Sequence, residues 1–520
     1  MLNQKAQTFL QNFQSAPKEK DSTEPGVTVS RTVSAAAVLY EAARNAVEFR
    51  AEHLIRRAAI ERILKRRLLT NSSGEGIAEA LVRELLWARY LENGGVPNRK
   101  VNEVQTTIEK YIRLRAEISK NTPSTLKGVY SNWIIGIASC EIEKKLAPAP
   151  NREALTNFVY QTLKDRVSIE NENDPKIRNI QVYIAVHRAY AQSDDPIIRF
   201  QLFLSYFPNW IDSGPDVVSQ VAPKFGEIYK EIEIQLNHPA KDKLRRFVKR
   251  EAAPFFVIRD LAEENPDEFP KIIADEELLT EKAKKNLSKR YLEIKDRLRR
   301  AATRSIIYIF LTKMLFALIL ELPFDLLLRK PNYFALTVNT LFPPVLMFLV
   351  TASIGLPDEQ NSNRVIKKIK DYLYGESAPA TKTEISLKKQ NPLPFTVIYS
   401  LTSILIFGLI VSGLNKLGFS LISKGIFLFF LTVVSFFGYR VRLSTKDYVI
   451  QEKESVITPM TDFIFLPILR VGQWLSGELA QINFLIFLLD FIVEAPFKAF
   501  FQVVEEWIHF VRTKKEEIVS

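Results

Sequence analysis

The chain changes solvent near residue 303. Upstream, charged side chains recur every few positions. Downstream come four apolar stretches, at 305–328, 333–354, 395–414 and 419–439. Each is close to the ~20 residues that a helix needs to cross a hydrocarbon core of ~30 Å. A mean hydropathy of −0.03 and a charged fraction of 25% are ordinary for a soluble protein and hide this division. The expected class is all-α: a cytoplasmic helical bundle, then a polytopic α-helical membrane domain of about four spans, then a C-terminal amphipathic helical segment.

The junction carries a dense basic run. Lys282, Lys284, Lys285, Lys289, Arg290, Lys295, Arg297, Arg299, Arg300 and Arg304 stand against only Glu293 and Asp296. The connectors continue this bias. The 355–394 loop carries Arg364, Lys367, Lys368, Lys370, Lys382, Lys388 and Lys389, and Arg440, Arg442 and Lys446 follow the fourth span. The short connectors at 329–332 and 415–418 hold only Arg329, Lys330 and Lys416. Basic connectors stay on the cytoplasmic side. Residues 1–302, 355–394, 440–460 and the C-terminus are therefore expected there, in a protein integral to the membrane (the cytoplasmic membrane, in a bacterium). Lys289, Arg290, Arg297, Arg299, Arg300 and Arg304 are candidate contacts to anionic lipids of that leaflet. The expected partners are the bilayer itself, a protein that docks on the cytoplasmic domain, and further copies of the chain. A net charge of +12 is accounted for by these segments better than by nucleic acid.

Along the chain, 1–28 is a polar tail with no apolar core of a signal peptide. Residues 29–270 show helical periodicity and form the expected cytoplasmic domain. Ser34–Leu69 is the clearest helix, and others fall at about 99–119, 126–146, 151–168, 175–192, 196–206, 214–236 and 241–261. Asp194-Asp195-Pro196 is an acidic N-cap with proline in the first turn. No fixed repeat is present. Residues 271–302 form a charged helical stalk, 303–440 the membrane domain, 441–511 a loop plus interfacial or re-entrant amphipathic helices, and 512–520 a charged tail. The single cysteine, Cys140, excludes an internal disulfide and lies in an apolar run, as a small core residue does.

Ionisable residues within apolar segments mark candidate sites. Lys313 and Glu321 fall in the first span. Asp490, Glu494 and Lys498 fall on a polar stripe (Asn483, Asp490, Glu494, Lys498, Gln502, Glu505, His509) that occupies about 120° of a helix at ~100° per residue. Together Lys313, Glu321, Asp490, Glu494 and Lys498 form the candidate intramembrane polar site. Glu321 is expected near the outer end of its span, within reach of water. Lys313 is expected to reach back towards Ser305 or to meet Asp490 or Glu494. Leu318–Phe324 and Phe491–Phe497 share Glu-x-Pro-Phe, and Pro343-Pro344 interrupts the second span. The stripe helix is expected to lie at the inner interface.

Catalytic signatures are absent from the sequence: no H-E-x-x-H, G-x-S-x-G, phosphate-binding glycine loop or dinucleotide fingerprint occurs. The histidines His53, His187, His238 and His509 lack metal-ligand spacing. The cations Arg56, Arg57, Arg62, Lys65, Arg66 and Arg67 read as a solvated helix face. No catalytic residue, cofactor or metal is expected. The expected function is non-enzymatic: a membrane protein that anchors or scaffolds a cytoplasmic helical interaction domain. The alternative is a transporter or channel using intramembrane Glu, Asp and Lys at proline-broken helices.

Overall fold

The structure, a computed structural model, describes residues 1–14, 24–30, 34, 38, 52–71, 73–170, 172, 174–328, 332–352, 354–355, 357–375, 382–387, 392–444, 447–450, 465–475, 507 and 511. It is 81% helical, so the class is all-α, and four helices long and apolar enough to cross a membrane follow the N-terminal helical region. The polar stripe of 483–509, with Asp490, Glu494 and Lys498, lies outside the described residues.

Two compact units divide the chain. The N-terminal unit takes in the described parts of Gln4–Val248, Ser377–Leu387 and Asp490–Ser520, and the span-bearing unit those of Met1–Asn3, Lys249–Glu376 and Lys388–Leu489.

The N-terminal unit is built around the helix Ser124–Leu146, buried without a break from Trp133 to Ile142. The helices Glu52–Thr70, Asn98–Lys120 and Asp195–Tyr206 pack on it. Pro196 comes within 3.6 Å of where a Cβ on Gly136 would stand, so the smallest side chain lets the last of these cross closely. Asp194 caps that helix, accepting from Ile197 N at 3.3 Å, with Pro196 in the first turn, as its sequence requires. An aromatic cluster of Trp133, Tyr130, Phe225 and Tyr229 fills one side, with ring centroids 4.8–6.3 Å apart. The segment expected as one helix over 151–168 ends at Leu163, and Val167–Ile169 is a strand paired in parallel with Thr383–Ile385. The segment expected over 214–236 is broken into short turns before Phe225–Leu236, at Pro215 and Pro223. Proline withholds the N–H that a continuous helix needs.

The span-bearing unit hangs on one helix, Glu276–Phe316, capped by Asp275, whose carboxylate accepts from Glu277 N and Leu278 N at 2.9 and 3.1 Å. It runs unbroken from the charged stalk into the first apolar stretch. Ala253–Glu264, Phe269–Ala274 and Glu359–Tyr374 pack around its charged half. The last of these lies inside the segment expected as a loop. Val365, Ile366, Ile369, Tyr372 and Leu373 are buried along one face of it, and Tyr372 stacks on Phe255 at 4.8 Å. The remaining apolar helices are Tyr333–Ala352, Pro392–Lys416 and Leu421–Ser444. A Cβ on Gly438 would stand 2.5 Å from Val350 Cγ1, so the second and fourth helices nearly touch. Residues 465–475 form a helix that meets the middle of the fourth at Gly472, where a Cβ would stand 2.1 Å from Thr432 O.

The division between the units falls inside Lys241–Glu251, after Val248. A fragment of residues 1–248 is therefore expected to be soluble and helical and to melt cooperatively without the short ladder to 383–385. A fragment ending at 270 carries Phe255, Phe256, Ile258 and Phe269, buried in the whole chain, without the helices that cover them, and is expected to aggregate. Size-exclusion chromatography of the two separates the cases; equal solubility would refute the boundary.

Candidate functional site

The connectors sort to two ends of the span-bearing unit. At one end, Asn332 caps the second apolar helix, accepting from Ala335 N at 3.1 Å, and donates to Leu417 O at 3.1 Å in the turn between the third and fourth. Gly418 in that turn has φ +76, a conformation that favours glycine. At the other end, three segments meet. Asn361, on the helix after the second span, donates to Tyr291 Oη (2.7 Å) on the long helix and to Tyr448 O (2.8 Å) beyond the fourth span. Tyr448 Oη donates to Asp260 Oδ2 at 2.7 Å. Asp260 is fully buried and also accepts from Arg290 Nε at 2.7 Å and Arg259 Nη2 at 3.0 Å. Beside it, burial pushes the Asp447 carboxyl up, against the cations Lys249, Arg259 and Arg297.

This polar junction changes the reading of the basic run. Arg290 is held by Asp260 and Glu293, Lys289 by Glu264 at 2.6 Å, and Lys284 by Glu359 at 2.6 Å. Lys289 and Arg290 thus have carboxylate partners inside the unit. Arg297, Arg299, Arg300 and Arg304 are exposed, directly before the apolar half of the helix.

Lys313 and Glu321 are brought together, against both expectations for them. Each is fully buried. Lys313 Nζ donates to Glu321 Oε2 at 3.3 Å and lies 5.3 Å from the centre of the Phe430 ring. Asn339 Nδ2, on the second helix, donates to Glu321 Oε1 and, at 3.3 Å, to Ser423 O on the fourth. Residues 317–321 form a π-helical turn, which rotates Glu321 inward from where an even α-helix would put it. A helical side chain leans towards the N-terminus of its helix, so the glutamate reaches back and the lysine extends forward to it instead of towards Ser305. Asn339 Oδ1 is buried with no hydrogen-bond partner.

In the N-terminal unit the structure assembles residues that no spacing in the sequence connects. A cleft of about 480 Å³ is lined by His53, Arg56, Arg57, Cys140, Glu143, Lys144, Arg152, Glu153, Tyr183, His187 and others. Burial and the charges of Arg152, Arg56 and Arg57 hold His53 down to about 3. Burial and Arg152 hold His187 down to about 4, so both imidazoles are neutral near pH 7. His187 Nδ1 pairs with Ser193 Oγ at 3.0 Å. Burial raises the Glu143 carboxyl and lowers the Arg152 guanidinium. Cys140 Sγ donates to Gly136 O at 3.3 Å, and burial pushes its thiol well up, which makes it an inert wall residue. Four cations of Glu52–Thr70 are held in ion pairs: Arg57 with Glu61 and Asp194, Arg56 with Glu143, and Arg66 and Arg67 with Glu84. Among the described residues no group of three or more His, Cys, Asp or Glu could hold a metal ion.

No protein-family model, curated protein or solved structure matches this chain, so function rests on these geometries.

Proposed function

We propose that the protein is a non-enzymatic membrane anchor that holds a helical interaction domain at the cytoplasmic face, with the polar junction around Asp260 as its fixed base. The observation that carries this reading is the junction itself. Segments from before the first span, between the second and third, and after the fourth are hydrogen-bonded to one another at one end. A transporter that rocks its helices needs loose connectors, whereas a junction of this kind locks three of them together. These are also the segments rich in Lys and Arg, and the charge bias supports that end as the inner one. Arg299, Arg300 and Arg304 would meet anionic headgroups there, each gaining on the order of 1 kcal/mol.

Orientation is tested with single cysteines in a Cys140→Ala background. Asn415→Cys is expected to react with an impermeant thiol reagent in intact cells, and Asn363→Cys only after permeabilisation. The opposite pattern reverses the orientation.

A second reading, a proton or cation pathway, is favoured by one observation: the orphaned Asn339 carbonyl oxygen beside a buried Lys–Glu pair at a π-helical turn. Such turns recur at functional sites. Proteoliposomes separate the two readings. The anchor is expected to give no protein-dependent proton or cation flux. A flux abolished by Glu321→Gln would replace the anchor with the transporter.

A further inference from the structure

We propose that the cleft beside His53 and Arg152 in the N-terminal unit binds a small organic oxyanion, a phosphate or carboxylate group carried on a compact apolar body. This is independent of the anchoring reading. At about 480 Å³ the cleft is within the ~300–1,000 Å³ of small-molecule sites. Its cations are unequal. Arg56 has Glu143 at 2.8 Å, Arg57 has Glu61 at 2.6 Å and Asp194 at 2.7 Å, and Lys144 has Glu153 at 2.8 Å. Among the described residues Arg152 is in direct contact with no carboxylate, Glu143 and Glu153 acting on it from further off, and its guanidinium makes one long hydrogen bond, Nη2 to Ala191 O at 3.4 Å. A half-buried guanidinium with no anion in hydrogen-bonding contact is costly to keep, and its planar fork matches an oxyanion.

Two further groups of residues that line the cleft lack partners. His53 Nε2 and Arg57 Nε are buried and unbonded, and the Arg57 residue is 4% exposed. Buried polar atoms without partners are rare in native folds and call for a missing one. An oxyanion seated on Arg152 would offer acceptor oxygens to them. Ile197, Phe200 and Pro150 supply apolar surface to the same cleft, and the Tyr183 ring lies 4.5 Å from that of His187. A bare hydrated ion has no use for such a wall, whereas an organic body is desolvated by it. The residues come from Asn12, 53–57, 140–157 and 183–201, four separate stretches that only the fold unites.

The test uses the full chain in detergent, titrated at constant ionic strength with inorganic phosphate, phenyl phosphate and benzoate. The chain has four histidines, so selective ¹⁵N-histidine labelling follows His53 and His187 with His238 as an internal reference. Saturable binding of phenyl phosphate or benzoate is expected, with the His53 ring resonance moving and that of His238 still. The better of the two identifies the head group. Inorganic phosphate is expected to bind about tenfold more weakly than phenyl phosphate for want of the apolar body. Arg152→Gln is expected to weaken binding at least about tenfold and to leave the melting temperature near that of the parent. Ala154→Leu narrows the cleft without touching its charges and is expected to weaken phenyl phosphate more than inorganic phosphate. Absence of saturable binding at tens of millimolar, a response that chloride reproduces, or affinity unchanged in both variants would each overturn the proposal.

Discussion

Replacing Glu321 by leucine is expected to destabilise the span-bearing unit by about 3–5 kcal/mol, the cost of leaving a buried charge without its partner. Lys313 would lose the one carboxylate that meets it among the described residues while staying buried, with the Phe430 ring 5.3 Å away. A cation–π contact contributes roughly 2 kcal/mol when desolvated, too little to hold an ammonium in hydrocarbon. The double variant Lys313→Met, Glu321→Leu is expected to recover most of the loss, because it removes both desolvation costs and keeps the volume apolar. The measurement is thermal unfolding in detergent for the parent, both single variants and the double. Additive losses, with the double variant the least stable, would show that each residue acts separately and not as a pair. The same cycle bears on function. An anchor tolerates the double variant in every respect, whereas a proton or cation path through this pair does not.

Much of the architecture follows from periodicity alone. The four apolar segments, the unbroken passage from charged stalk to span, and the Asp194–Pro196 helix start are each written in a few residues. The helix Glu359–Tyr374 was equally legible, since Val365, Ile366, Ile369, Tyr372 and Leu373 recur on one face after an Asp358 cap. Its lysines suit a cytoplasmic loop so well that the charge count obscures the apolar stripe. Glu321 shows another limit. Counting residues from the start of a span gives depth along a regular helix, but a π-helical turn changes which way a side chain points, and Asn339 and Ser423 come from elsewhere in the chain. The cleft is the extreme case. His53 and His187 are 134 positions apart by their numbering (187 − 53), and neither sits in a motif. The Asp260 junction is similar: Asp260, Arg290, Asn361 and Tyr448 become neighbours only when the helices pack. Local pattern specifies elements, while sites assembled from distant segments require the tertiary structure.

The N-terminal unit contains a second buried ion pair, and breaking it is expected to be the most damaging single change there. Lys110 and Glu141 are 2% and 0% exposed. Lys110 Nζ donates to Glu141 Oε1 at 2.9 Å and to Trp210 O at 2.7 Å. Glu141 Oε2 accepts from Tyr111 Oη at 2.8 Å and from Trp210 Nε1 at 2.9 Å. Burial pulls the Lys110 ammonium below the ordinary lysine range, and Glu141 opposes that pull. The carboxylate thus joins Asn98–Lys120, Ser124–Leu146 and the turn at Trp210, one residue from the Cys140 wall of the cleft. Glu141→Leu leaves an ammonium uncompensated and the Tyr111 hydroxyl short of an acceptor. The pair term alone costs about 3–5 kcal/mol, and the orphaned hydroxyl adds roughly 1–3 kcal/mol. Domains of this size are stable by only about 5–15 kcal/mol, so the variant fragment 1–248 is expected to be largely unfolded at 37 °C. In Lys110→Met, Glu141→Leu the charges go together, and the indole still reaches Tyr111 Oη at 2.8 Å. Helicity by circular dichroism and a cooperative urea transition are expected to return in that double variant. A native-like urea midpoint for Glu141→Leu alone would mean that water enters to solvate Lys110. The centre of the unit would then be wetter than its packing implies, and the orphaned donors in the neighbouring cleft would have solvent as their partner.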